Sequence, residues 1–153
     1  MHLENRLREL GIELPRPPQA VAAYVPAIIS GMWCFTAGQL PLRDGVLVAQ
    51  GKVGQEVDVQ TAYQAARQSA LNAVSAAAHA AGGLEHLVRV VKVVGFVQSA
   101  DDFHEQPAVI NGASELLESL FGEAGRHARS AVGSQTLPMN AAVEVEVIFE
   151  VRA

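Results

Sequence analysis

Arg129 and the pair Glu144 and Glu146 are the residues whose types and spacing could carry chemistry. Arg129 stands in the run Ala128-Arg129-Ser130-Ala131-Val132. Its guanidinium is a planar fork whose parallel N–H groups match the two oxygens of a carboxylate, so a held arginine can bind and orient a small carboxylic acid. The competing reading is that Arg129 only neutralises Glu144 or Glu146. Those glutamates occur in Val143-Glu144-Val145-Glu146 and on an extended strand share one face, about 7 Å apart. Repulsion and partial burial raise a carboxyl pKa, and a carboxyl poised nearer neutrality can hold or activate water. The competing reading is a solvated strand face. Cys34 follows Trp33 in an apolar run with no His-Asn partnership at a recognisable spacing, and it reads as a buried hydrophobe. His79 falls on a long helix and His104 near a helix start, while His127 stands beside Arg129. One cysteine and five scattered histidines offer no paired ligand spacing, so no metal site is expected.

The elements that must position these residues follow from periodicity. Leu3, Leu7 and Leu10 form one stripe of a short helix that Gly11 and Pro15 end, giving an N-terminal helical arm over 1–17 and a single domain over 18–153. From Val21 to Thr36, two apolar runs flank Ser30-Gly31 and predict a hairpin, and Asp44-Gly45 introduces a third short run, Val46 to Val48. Asp58 caps and Gly82-Gly83 stop a helix over 59–81, whose alanine stripe lets it lie close to a sheet. Leu87 to Val97 reads as a central strand largely covered on both faces, and Asp101 or Asp102 caps a second helix that runs to Gly122. Ala128 to Val132 is a short strand, and Val143 to Arg152 alternates with period two. The order predicts a mixed sheet with two helices on one face, and the bare face calls for another copy of the chain.

Length and composition bound the rest. A chain of 153 residues builds one core, and 50% hydrophobic with 18% charged residues excludes disorder. A formal net charge of -5 argues against a surface that neutralises phosphates, so nucleic acid is not an expected partner. The single cysteine fits a reducing, cytoplasmic setting, and no stretch reads as a signal peptide or a membrane span, so no membrane is expected as a partner.

The segments Ala37-Gly38-Gln39-Leu40-Pro41, Val109-Ile110-Asn111, Ala128-Arg129-Ser130-Ala131-Val132, Leu137-Pro138 and Val143-Glu144-Val145-Glu146, in that order, resemble the RidA/YjgF family of reactive-intermediate deaminases. The resemblance covers roughly 18–151. It implies a chorismate-mutase-like α/β (α+β) fold, a homotrimer with a central β-barrel and clefts between subunits, and no cofactor. The implied activity is hydrolysis of enamines and imines such as 2-aminoacrylate to 2-keto acids and ammonia. The implied substrate is an imino acid whose carboxylate Arg129 clamps, with water held by Glu144. Tyr24, Asn111 and the backbone around Gly38 and Ala131 would line the cleft.

The chain departs from the family where it has Ala37 in place of a small hydroxyl residue, Ala131 in place of a frequent cysteine, and a longer polar lead over 122–127. Those departures leave a second reading, a trimeric module that binds or senses small carboxylates without turnover. A third, endoribonuclease or translation inhibitor, follows from the family's history and fits the acidic balance least.

Overall fold

Short segments at the start of the chain depend on what they dock against. The computed structural model describes residues 2–19 and 22–153. Helix α1 (Leu3–Leu10) buries Leu3 and Leu7, leaves Leu10 exposed, and ends at Gly11 in the left-handed conformation. The expected start of the first strand at Val21 lies outside the described residues. Strand β1 (Ala27–Ser30) begins after Pro26 and turns through Gly31 and Met32 into β2 (Trp33–Thr36). A positive φ at Gly31, first of the two turn residues, suits a tight hairpin.

The third expected strand does not join that sheet. Strands β3 (Leu42–Arg43) and β4 (Val46–Leu47) form a separate two-stranded ribbon around Asp44-Gly45, both of which have positive φ. Asn72 anchors the ribbon from below by donating to the Leu40 and Leu42 carbonyls, at 3.1 and 3.0 Å.

Helix α2 (Val59–Ala81) has the predicted ends. The Asp58 carboxylate accepts from the Thr61 amide at 2.8 Å, and Gly82 takes the left-handed terminal position. Strand β5 (Leu87–Gln98) follows, then α3 (Gln106–Phe121). Neither Asp101 nor Asp102 caps α3, contrary to expectation. Both sit in a turn pinned by buried Phe103, and the helix begins later, with Pro107 in its first turn where a missing N–H costs nothing. Strand β6 (Ala128–Ser134) and strand β7 (Val143–Val151) complete the chain.

The main sheet is mixed, in the order β1-β2-β7-β5-β6, with β5 and β6 parallel and the other pairs antiparallel. Val143, Val145, Val147, Phe149 and Val151 are buried under the helices, while Glu144, Glu146, Ile148 and Glu150 point the other way and are half-buried. Helices α2 and α3 lie on the same face and touch each other, and α1 docks on α3 through Arg6 Nε donating to the Ser119 carbonyl at 2.8 Å. Two glycines permit this closeness: a Cβ at Gly112 would strike the Tyr63 carbonyl of α2, and one at Gly95 would strike Ile110.

Within one chain the helices therefore cover strand β5 on one face only, where the sequence predicts a strand largely covered on both. Its Lys92, Val94 and Phe96 are half-exposed on the bare side. That side is open, and beside Lys92 and the glutamates it exposes large apolar side chains: Ile28 is 57%, Trp33 39%, Phe35 40% and Val132 44% exposed. Among the described residues no helix is long and apolar enough to cross a membrane.

Candidate functional site

Arg129 lies on the edge strand β6. It is registered opposite Val93, which is fully buried on the helix side, so its side chain turns toward α3. There Nη1 donates to Asn111 Oδ1 at 2.8 Å and to Ser114 Oγ at 3.2 Å. Asn111 and Ser114 are three residues apart and share one face of α3. Asn111, which the family resemblance places in the cleft, is helical and accepts a hydrogen bond from the arginine. Neither Glu144 nor Glu146 pairs with Arg129. With both Nη1 hydrogens engaged, Nε–H and the Nη2 hydrogens make no hydrogen bond among the described residues. The Nε and Nη2 edge presents two parallel donors that fit a carboxylate.

Ser114 belongs to no motif legible in the sequence. It also meets His127, with Oγ···Nε2 at 2.9 Å, and His127 Nδ1 lies 2.6 Å from the Gly125 carbonyl. Its only sequence signal is the i,i+3 spacing from Asn111 on a predicted helix. Ala131 shares the helix side of β6 with Arg129, two residues on.

Glu144 belongs to a different neighbourhood. It is registered opposite Phe96, which in turn faces Val132, and Val132 alternates with Arg129 along β6. Glu144 and Arg129 thus project from opposite faces of one sheet. The Glu144 carboxylate lies over Gly38, where any Cβ would collide with its Oε2. Burial first, and the neighbouring charge of Glu146 second, hold the Glu144 carboxyl above its ordinary range.

Tyr24 is 53% exposed, in the segment leading to β1 at the far edge of the sheet from Arg129. The residues expected in the cleft therefore form three groups in a single chain: Arg129 with Asn111 and Ala131, Glu144 with Gly38, and Tyr24. A cavity of about 470 Å³, lined in part by Trp33, Arg89, Arg126, His127 and Glu150, contains none of the three. Cys34 is fully buried, and burial pushes its thiol up to about 11. Among the described residues no three His, Cys, Asp or Glu side chains are grouped to hold a metal ion.

The sequence profile described as "YjgF/chorismate mutase-like, putative endoribonuclease" matches residues 4–151. Protein TCP17 of Trypanosoma cruzi is 45% identical over 145 residues, covering 94% of this chain and 91% of that protein. The 2-iminobutanoate/2-iminopropanoate deaminase of Dermatophagoides farinae is 31% identical over 139 residues, covering 90% and 92%. Among solved structures, Atu1372 of Agrobacterium tumefaciens superposes with a TM-score of 0.91 at 46% identity, covering 98% and 92%. Escherichia coli TdcF with bound serine gives 0.60 at 30% identity, covering 90% and 94%.

Proposed function

The chain belongs to the YjgF/RidA family, and from that premise we propose that it hydrolyses reactive enamine and imine acids such as 2-aminoacrylate to 2-keto acids and ammonia. The observation that carries this reading is the arginine held by one nitrogen. Nη1 is committed to Asn111 and Ser114, which leaves the Nε and Nη2 edge to take a carboxylate in two parallel hydrogen bonds. A relative of similar fold holds serine, which carries a carboxylate beside a nitrogen-bearing carbon.

In the proposed reaction the clamp orients the substrate carboxylate, and the enamine first takes a proton on carbon and gives one up from nitrogen to become the imine. Water positioned by Glu144 adds its oxygen to the imine carbon while the nitrogen gains a proton. The C–N bond then breaks as the new hydroxyl loses its proton, giving the keto acid and ammonia. A carboxyl displaced toward neutrality suits the exchange of protons with water.

Because Arg129 and Glu144 occupy opposite faces of the sheet, this reaction requires at least two copies of the chain. The apolar bare face and the two sheet edges support a closed homotrimer in which clefts join Arg129 of one copy to Glu144 of the next. The same separation favours a second reading, a non-catalytic module that binds small carboxylates, since the clamp alone is complete in one chain. Cleavage of RNA is the least supported, given the net charge of -5.

The test couples the purified protein to an enzyme that releases 2-aminoacrylate from serine, for wild type and Arg129→Ala. Faster keto-acid formation by wild type, lost in the variant, supports hydrolysis. No acceleration by either, with 2-keto acids bound by wild type alone, supports the binding module. Sedimentation of the same samples at micromolar concentration checks the trimer, which a monomer mass would refute.

A further inference from the structure

We infer that Ser114 and His127 are positioning residues that aim the free edge of Arg129 outward. The inference rests on reading Arg129 as a carboxylate clamp. The donor directions follow from the chemistry of the partners. A backbone carbonyl has no hydrogen to give, so His127 Nδ1, 2.6 Å from the Gly125 oxygen, carries the proton. In the neutral ring Nε2 then accepts, and it takes the Ser114 hydroxyl hydrogen across 2.9 Å. The lone pairs of Ser114 Oγ are thereby turned to Arg129 Nη1, which can only donate, across 3.2 Å. One directed chain runs from Arg129 through Ser114 and His127 to Gly125.

The far end of that chain is fixed by covalent geometry and packing. Gly125 is buried against the last turns of α3, and a Cβ there would strike the Leu117 carbonyl and Glu118 Cα. Gly125 is accordingly set against the same helix that carries Ser114 and Asn111, and its carbonyl meets His127. Asn111 takes the second Nη1 hydrogen at 2.8 Å, so the guanidinium is held at two points on α3 and its plane is determined. Without Ser114 to accept, or without His127 to orient the hydroxyl, one point is lost and the fork swings about the remaining bond. This also gives the polar stretch over 122–127 a role, as the seat of the histidine.

The experiment compares wild type with Ser114→Ala, His127→Leu and His127→Gln, whose side-chain oxygen reproduces the Nε2 acceptor. Readouts are calorimetric binding of 2-oxobutanoate, KM and kcat in the 2-aminoacrylate assay, and the nitrogen NMR signals of the His127 ring. The expected result is binding weakened about tenfold in Ser114→Ala and His127→Leu, seen in KM more than in kcat, with His127→Gln close to wild type. The wild-type ring shows a protonated Nδ1 and an accepting Nε2, and the Nε2 signal moves in Ser114→Ala. If one variant folds poorly, the other carries the same comparison. Wild-type binding with both variants within twofold of it overturns the inference and leaves the proposed function standing. A wild type that neither binds 2-oxobutanoate nor hydrolyses imines removes both.

Discussion

Glu144 carries a carboxyl that its surroundings make reluctant to ionise, and this has a sign that stability measurements can read. Burial and Glu146 raise its pKa in the folded protein, so between the ordinary carboxylate range and the raised value the folded state binds more protons than the unfolded one. The stabilising contribution is present below the ordinary range and disappears as pH rises through the raised value. At neutral pH the native protein therefore bears a penalty that a neutral side chain would not. Glu144→Gln is expected to raise the Tm at pH 7 by a few degrees at most, because a half-buried carboxyl is partly screened. The gain should vanish near pH 4, and imine hydrolysis should fall; equal Tm differences at both pH values would refute the assignment. The strand alternation made the pairing of Glu144 with Glu146 legible, but not their distance from Arg129. Strand β6 is an edge whose neighbours in sequence alternate only weakly between polar and apolar, so nothing in its pattern says which way Arg129 points.

The packing of α2 against α3 sets where Asn111 and Ser114 stand, and it turns on Gly112 between them. A methyl group there meets the Tyr63 backbone carbonyl rather than a side chain that can move aside. Gly112→Ala is expected to destabilise by about 1–3 kcal/mol in urea unfolding, with weaker binding of 2-oxobutanoate because the two Arg129 anchors shift with the helix. Unchanged stability would mean that the helices separate more freely than their contact implies. Helix α2 and strand β7 were readable from the chain because capping residues and a period-two pattern are local signals. The start of α3 was not, since two adjacent aspartates resemble caps, while tertiary burial of Phe103 decides that they lie in a turn. The β3-β4 ribbon likewise looked like a sheet strand. It is anchored by Asn72 of α2 through two long-range hydrogen bonds that no local pattern announces.

For the whole molecule, the pattern of one covered and one open face was anticipated from element order, and the exposed Ile28, Trp33, Phe35 and Val132 bear it out. What covers that face is a property of an assembly, and a single sequence encodes it only as an unpartnered apolar surface. Two helices on one side leave the sheet as a wall, with the arginine group behind its edge and the glutamate group on its front.

That division has a genetic consequence. A chain lacking the arginine and a chain lacking the glutamate each retain the half that the other has lost. On the proposed trimer, coexpressed Arg129→Ala and Glu144→Gln chains, each inactive alone, should assemble into mixed rings in which about a quarter of the clefts are intact. Recovered hydrolysis in the mixture would be complementation within a single gene, whereas a mixture as inactive as its parents would refute a cleft shared between subunits.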